Sequence, residues 1–470
     1  MLERSRKISA FSLIARKMVL TLAAISFTIS TLPLPSLGEE IHGQLNNNKS
    51  RVGATVKKPA PQDIVIVRLT QGADRDKFNQ TLQEVNGTYL RTIDAGAQLQ
   101  FLVIQTEPGK AAEVEKKLKG KPDIASVERN SRYSLKDSLV PVSGSYTAQS
   151  GTGYAGGIAP TSLQPSDPFF SAQWDLFQMN YPQGRLLASA NSPLVPIYFL
   201  DTGMAYFPGE SALYAGQFDF SDPTDPTGAF EPMHDSGFHG TATSSVTASS
   251  DNGIGYAGMA NYELNRCQVY MLRISQDGEH AYTTNILSAL AFILRDPLCK
   301  AGPVNISFGA APPNTLNADP DVQLIAYYLY FKGCLVVLAA GNDGLEDSSP
   351  EVFCRRVAAT DVNGNLASFS DYGPFTAAAP GVNVPVYIPS AGPSGEYVAS
   401  GTSFSAPRWC SAIVAIMAIT KSSRNRNAPY ADMVLRSTAS TTSAGLQIPN
   451  LQAAMQYFTK SSSSSNSSSN

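Results

Sequence analysis

The chain has 470 residues, 43% of them apolar and 16% charged, with a formal net charge of −3. That length favours two or three domains, and the near-neutral balance leaves no basic field for nucleic acid. Only four histidines are present, His42, His234, His239 and His280, so imidazole chemistry must use one of them. The five cysteines (Cys267, Cys299, Cys334, Cys354 and Cys410) include no C-x-x-C pair, which argues against a structural zinc site. Export would open a disulfide to them, with a thiol left over. Cys334 and Cys410 lie in apolar runs and read as small buried thiols.

Residues 1–38 read as an export signal. Arg4, Arg6, Lys7, Arg16 and Lys17 precede the apolar stretch Met18 to Ile29, and Ser36-Leu37-Gly38 offers small residues for cleavage. The stretch is short for a membrane span, and no stable span is expected in the mature form. The expected location is secreted, periplasmic or extracellular. Residues 39–62 form a polar linker. From 63 to 135 the pattern is strand, helix, strand, strand, helix, strand. The strands are Ile64–Val67, Tyr89–Ile93, Leu99–Ile104 and Ile124–Val127, and the helices 74–86 and 110–119. That order is a small ferredoxin-like α+β unit. Residues 138–166 carry no charge and are rich in Ser, Gly, Thr and Pro, so 136–166 reads as a flexible connector. From 167 to 457, runs apolar on both faces (Ile197–Leu200, Val269–Ile274, Val304–Phe308, Leu335–Ala339) alternate with amphipathic helices such as 283–295. This is the pattern of a doubly wound parallel α/β sheet, with its active site at the carboxyl ends of the strands. Residues 458–470 are a Ser/Asn tail expected to lack structure.

Three motifs carry chemistry. Leu200-Asp201-Thr202-Gly203 ends an apolar strand. His239-Gly240-Thr241 opens a helix of small residues. Gly401-Thr402-Ser403 opens an apolar helix. A serine hydroxyl needs a neutral imidazole to take its proton and a buried carboxylate to orient that imidazole. A helix N-terminus at Ser403 turns backbone N–H groups toward a developing oxyanion. Asn342, in Ala339-Ala340-Gly341-Asn342 at a strand end, can supply a further amide donor.

With Asn305-Ile306-Ser307-Phe308-Gly309, Ala367-Ser368-Phe369-Ser370-Asp371-Tyr372-Gly373 and Ala379-Pro380-Gly381 in the same order, residues 167–457 resemble the subtilases, the subtilisin-like serine peptidases. The resemblance implies a catalytic triad of Asp201, His239 and Ser403 and an oxyanion hole at Asn342. It also implies a peptide-binding cleft along Ser307, Phe308, Gly309, Ala340 and Gly341. No cofactor is required for such chemistry. Polypeptides would be the substrates, and residues 63–135 an inhibitory propeptide acting as intramolecular chaperone, so that the chain is made as a zymogen. Asp219, Asp222, Asp225 and Asp235 precede His239 and are candidates for a structural calcium ion or for a solvated acidic loop. Phe238, Phe404 and Arg408 stand where this family usually has glycine, methionine and a histidine or small residue. They are expected to crowd the site and leave open a catalytically silent, peptide-binding subtilase fold. A permanent binding module is the alternative role for residues 63–135.

Overall fold

The computed structural model describes residues 60–142 and 167–464, apart from the internal segments 97–98, 186–193, 206–213, 251, 254, 261–266, 389–394 and 421–424. The expected signal peptide and almost all of the linker after it lie outside the described residues, as does the connector beyond residue 142.

The small unit contains β1 (Ile64–Leu69), α1 (Arg75–Glu84), β2 (Thr88–Asp94), β3 (Gln100–Gln105), α2 (Ala111–Leu118) and β4 (Ile124–Arg129). Its antiparallel sheet has the order β2-β3-β1-β4. Strand alternation splits β1 between two cores. Val65 and Val67 pack with Phe78, Leu82, Val114 and Leu118 of the unit's own helices. Ile64 and Ile66 face the large domain and share a core with Ile286, Leu290, Val322 and Ile325. A polar seam reinforces that junction. Arg68 pairs with Asp321 at 3.6 Å, Ser126 donates to Asp321 at 3.0 Å and Tyr133 donates to Asp319 at 3.2 Å.

The chain then crosses onto the large domain. Residues Arg132–Ser134 form β5, and Ser138–Pro141 form β6. β6 overturns part of the connector expected over 136–166. Its backbone pairs with a peptidase strand (below), so an uncharged segment is ordered by ladder hydrogen bonds and not by side-chain burial.

The large domain adds β7 (Val195–Asp201), β8 (Tyr214–Asp219), β9 (Ala229–Glu231), α3 (His239–Ala248), β10 (Cys267–Arg273), β11 (His280–Tyr282), α4 (Thr283–Arg295), β12 (Pro303–Ile306), α5 (Pro320–Lys332), β13 (Leu335–Ala339), β14 (Cys354–Thr360), β15 (Ala378–Pro380), β16 (Val384–Tyr387), β17 (Glu396–Ser400), α6 (Thr402–Ile419), α7 (Ala428–Thr438) and α8 (Leu451–Ser464). The main sheet has the order β15-β14-β13-β12-β7-β10-β8-β9 and is parallel except at β9. Both faces are covered, as the doubly wound reading requires. Ile197 and Phe199 of β7 join the core around α6, while Tyr198 and Leu200 join the core with α4 and α5. α6 spans 18 residues and is long and apolar enough on average to cross a membrane, but it lies mostly buried in this core. α8 runs to Ser464, so the helix enters the tail expected to lack structure. All five cysteines are free and buried, and burial pushes the Cys354 thiol up to about 12.

One ion pair lies wholly inside the large domain. Arg408 on α6 pairs with Asp175 and also donates to the Val246 carbonyl on α3. Its guanidinium is therefore turned into the core and does not crowd the site as expected. Removing one partner strands a buried charge, so Asp175→Ala should lose about 3–5 kcal/mol in urea unfolding. The apolar pair Asp175→Leu with Arg408→Met should lie much closer to the parent; an Asp175→Ala loss under about 1 kcal/mol would refute the pair's role. At the junction, burial beside Asp319 and Asp321 lifts half-buried Glu128 from 4.5 to about 7. Its neutral form is favoured, so its contribution is complete below the ordinary value and is lost as pH rises through about 7. Glu128→Gln should therefore unfold at a higher temperature than the parent near pH 8 and match it near pH 4.

Candidate functional site

The sheet order sets β7, β12 and β13 side by side and parallel. Their carboxyl ends bring Asp201, Ser307 and Asn342 to one edge, although some 140 residues separate the first from the last. Asp201 is wholly buried and its carboxylate has three donors. Thr202 N–H gives one bond at 2.8 Å, Thr243 Oγ another at 2.9 Å, and the His239 ring the third, Nδ1 to Oδ1 at 2.7 Å. Thr243 lies one helical turn beyond His239, so both face the same carboxylate.

α3 is buried on every side, which its Gly, Thr, Ala and Ser composition permits. Gly240 is needed for close approach, because a Cβ there would meet the Gly203 carbonyl at 2.1 Å. The N-terminus of α3 is held by Asp235. It accepts from Gly237 N–H (3.1 Å), Phe238 N–H (2.9 Å), Thr241 N–H (2.8 Å), Thr241 Oγ (2.7 Å) and Thr202 Oγ (2.6 Å). Asp235 thus caps the helix that carries His239 and ties it to the strand end that carries Asp201. It also holds Phe238 in the left-handed region, at φ 60°, which a non-glycine residue seldom adopts. The acidic residues Asp219, Asp222 and Asp235 before His239, candidates for calcium or for a solvated loop, have partners within the protein. Asp219 binds Ser221 and Arg273, and Asp222 binds Thr224. Among the described residues no three His, Cys, Asp or Glu side chains group to hold a metal ion.

Ser403 is the second residue of α6, behind Gly401. Pro407 lies four residues on and has no N–H to return to the Ser403 carbonyl. Ser307 Oγ takes that carbonyl instead, at 3.0 Å, which joins the end of β12 to the helix start. The Ser403 hydroxyl is 3.0 Å from the Ser307 carbonyl. Asn342 is oriented by Thr402, whose N–H and Oγ both donate to its Oδ1 at 2.9 Å. That leaves Nδ2 facing Ser403. Asp371 accepts from Asp343 N–H (3.0 Å) and Leu345 N–H (2.8 Å), fixing the loop that follows. Phe308 and Phe404 flank the His239 ring at centroid distances of 6.2 and 5.9 Å. Ser307, Gly309 and Gly341 line the cavity beside Ser403, while Phe308 and Ala340 line an adjoining one with Gly309.

The side chain that joins these groups is Asp137, which the sequence left in the connector. Its Oδ2 accepts from Ser403 Oγ at 2.7 Å and lies 3.1 Å from His239 Nε2, and its Oδ1 accepts from Asn342 Nδ2 at 2.9 Å. A Cβ at Gly401 would stand 1.6 Å from Oδ1, so only glycine admits this carboxylate. Burial opposes charge on His239, but Asp201 and Asp137, one on each ring nitrogen, outweigh it and raise the imidazole from 6.5 to about 10. The two carboxylates thus favour the imidazolium, a form that cannot accept a proton from Ser403. Asp235, Thr243, Thr402 and Asp371 were also missed as site residues. The first two carried a local signal: an acid four residues before His239 at a helix start, and a threonine one turn after it.

The subtilase family model matches residues 140–461. Thermitase of Thermoactinomyces vulgaris is 29% identical over 283 residues, covering 58% of this chain and 91% of that protein. Subtilisin BL of Lederbergia lenta is 26% identical over 287 residues, covering 60% and 94%. Among solved structures, fervidolysin from Fervidobacterium pennivorans has a TM-score of 0.64 at 17% identity, covering 84% of this chain and 61% of that one. The epidermin leader peptide processing serine protease from Staphylococcus aureus has a TM-score of 0.60 at 16% identity, covering 84% and 97%. The two structural likenesses concern the fold.

Asp235→Ala removes the cap of α3 and its tie to Thr202. Stability should fall by about 1–2 kcal/mol. Peptide hydrolysis should lose roughly ten- to hundredfold in kcat with KM nearly unchanged, because the imidazole is misplaced and the cleft is not. A rise confined to KM would contradict this positioning role.

Proposed function

The chain belongs to the subtilase family and is a serine-type endopeptidase; on that premise we propose that Asp201, His239 and Ser403 are its catalytic triad, working from an exported zymogen. The observation that carries the reading is the convergence of Ser403 Oγ and His239 Nε2 on one carboxylate oxygen, with Asp201 on the far ring nitrogen. Once that oxygen withdraws, one of the two charges that hold the imidazolium is gone, and the ring releases its Nε2 proton to water. His239 can then accept the Ser403 proton as Oγ attacks a peptide carbonyl. Asp201 holds Nδ1 and stabilises the imidazolium that forms.

Asn342 Nδ2 and the Ser403 N–H would receive the oxyanion. His239 then protonates the leaving amine, and water hydrolyses the acyl-enzyme. The steps use protein groups and water and no cofactor. Ser307 to Gly309 would pair with the peptide backbone by strand addition, and the bridge between Ser134 and Gly309 supports this. The same bridge, the Asp137 contacts and the shared core of β1 with α4 and α5 support residues 63–135 as an intramolecular inhibitor. The basic, apolar N-terminus supports export to an extracellular or periplasmic space.

Casein hydrolysis should appear in the processed protein and vanish in Ser403→Ala. Asn342→Leu should cost roughly 10²–10³ in kcat, the loss known for the equivalent amide in subtilisin. Persistent hydrolysis in Ser403→Ala would refute the assignment.

A further inference from the structure

We propose that residues 132–141 lie in the cleft as the site's first substrate, that Lys136–Asp137 is the bond to be cut, and that Asp343 makes the position before that bond select a basic side chain. This rests on the peptidase reading above and names its substrate preference and processing point.

The backbone fixes the register from both sides. Upstream, Ser134 N–H donates to the Gly309 carbonyl at 2.8 Å, and Gly309 N–H donates back at 3.3 Å. Downstream, β6 runs antiparallel to β17, with Ser138 opposite Ser400 and Pro141 opposite Tyr397. The chain is therefore held as an added strand on each side of Ser403, and Leu135, Lys136 and Asp137 cross the centre. The Lys136 carbonyl oxygen is 3.5 Å from Asn342 Nδ2, the donor offered to an oxyanion. That carbonyl is the one presented to the hole.

The side chain at this position is also recognised. Lys136 Nζ lies 2.5 Å from Asp343 Oδ1, on the loop that Asp371 pins. Ser307, Gly309, Ala310, Ala339 and Gly341 line the same cavity. The residue after the bond acts as a brake. The Asp137 carboxylate, and not the Lys136 carbonyl, takes the short contacts to Ser403, His239 and Asn342. Cleavage requires this side chain to swing out so that Asn342 and Ser403 can close on the carbonyl. Ser403 Oγ then bonds to the Lys136 carbonyl carbon and its proton passes to His239. The C–N bond to Asp137 breaks and His239 protonates the new Asp137 amine. Water finally releases Lys136 as a carboxylate and restores Ser403.

The test uses the purified full chain. Intact-mass measurement over time should show one fragment ending at Lys136 and another beginning at Asp137, with neither formed in Ser403→Ala. Asp137→Ala should speed their appearance. Fluorogenic peptides that vary the residue before the scissile bond should favour Lys or Arg over Leu by roughly five- to tenfold in kcat/KM, the order expected of a half-exposed ion pair. Asp343→Asn should abolish that preference, and Asp343→Lys should reverse it toward Glu. Ser403-dependent cutting elsewhere, for example within 143–166, or a basic preference unchanged in Asp343→Lys, would overturn the proposal and leave the peptidase reading intact. No Ser403-dependent hydrolysis of any peptide would overturn both.

Discussion

The carboxylate of Asp137 is the point on which the site's parts meet. Ser403 comes from a helix start, His239 from another, and Asn342 from the loop after a strand, and each gives or shares a bond with that one group. The contact demands that the segment on either side of Asp137 be held in place, and β5 and β6 are held there by β11 and β17. It also demands Gly401, because any side chain there would fill the space of Oδ1. On the proposed reading, inhibition by this segment would be both steric and electrostatic. A second carboxylate on His239 favours the charged ring, and a charged ring is no base.

The groups around the site are fixed by short-range polar contacts more than by the apolar core. Asp235 collects donors from both halves of the Asp201–His239 pair. Thr402 sets which end of the Asn342 amide faces Ser403. Ser307 satisfies the carbonyl that Pro407 leaves free. Each contact fixes the direction of a reacting atom, and preorganised donors and acceptors of this kind carry most of the effect of such a site. The two large cores serve a different end. They clamp the sheet between α6 and the α4–α5 layer, which keeps the carboxyl ends of β7, β12 and β13 side by side.

Much of this was legible in the sequence because it is written in local patterns. The apolar stripe over 283–295 is α4 to the residue, and Leu335–Ala339 is β13. The strand and helix order of the small unit follows directly from its periodicity. β12 was read to Phe308 but ends at Ile306, because Ser307 and Gly309 turn their backbones to Ser403 and Ser134. Asp137 was not legible. The ladder that places it joins segments some 260 residues apart, and the uncharged stretch after it has a connector's composition. Asp235 reads as part of an acidic cluster; its place four residues before His239 at a helix start hints at a cap, but its bond to Thr202, 33 residues away in sequence, has no local signal.

On the proposed reading, Ser403 and His239 form a competent pair that Asp137 holds silent until the chain is cut. Labelling of Ser403 by a fluorophosphonate probe at neutral pH, followed by mass spectrometry, tests it most directly. The intact chain should label slowly or not at all, and the processed chain rapidly at Ser403. Equal labelling of the two forms, or no labelling of a folded processed chain, would contradict it.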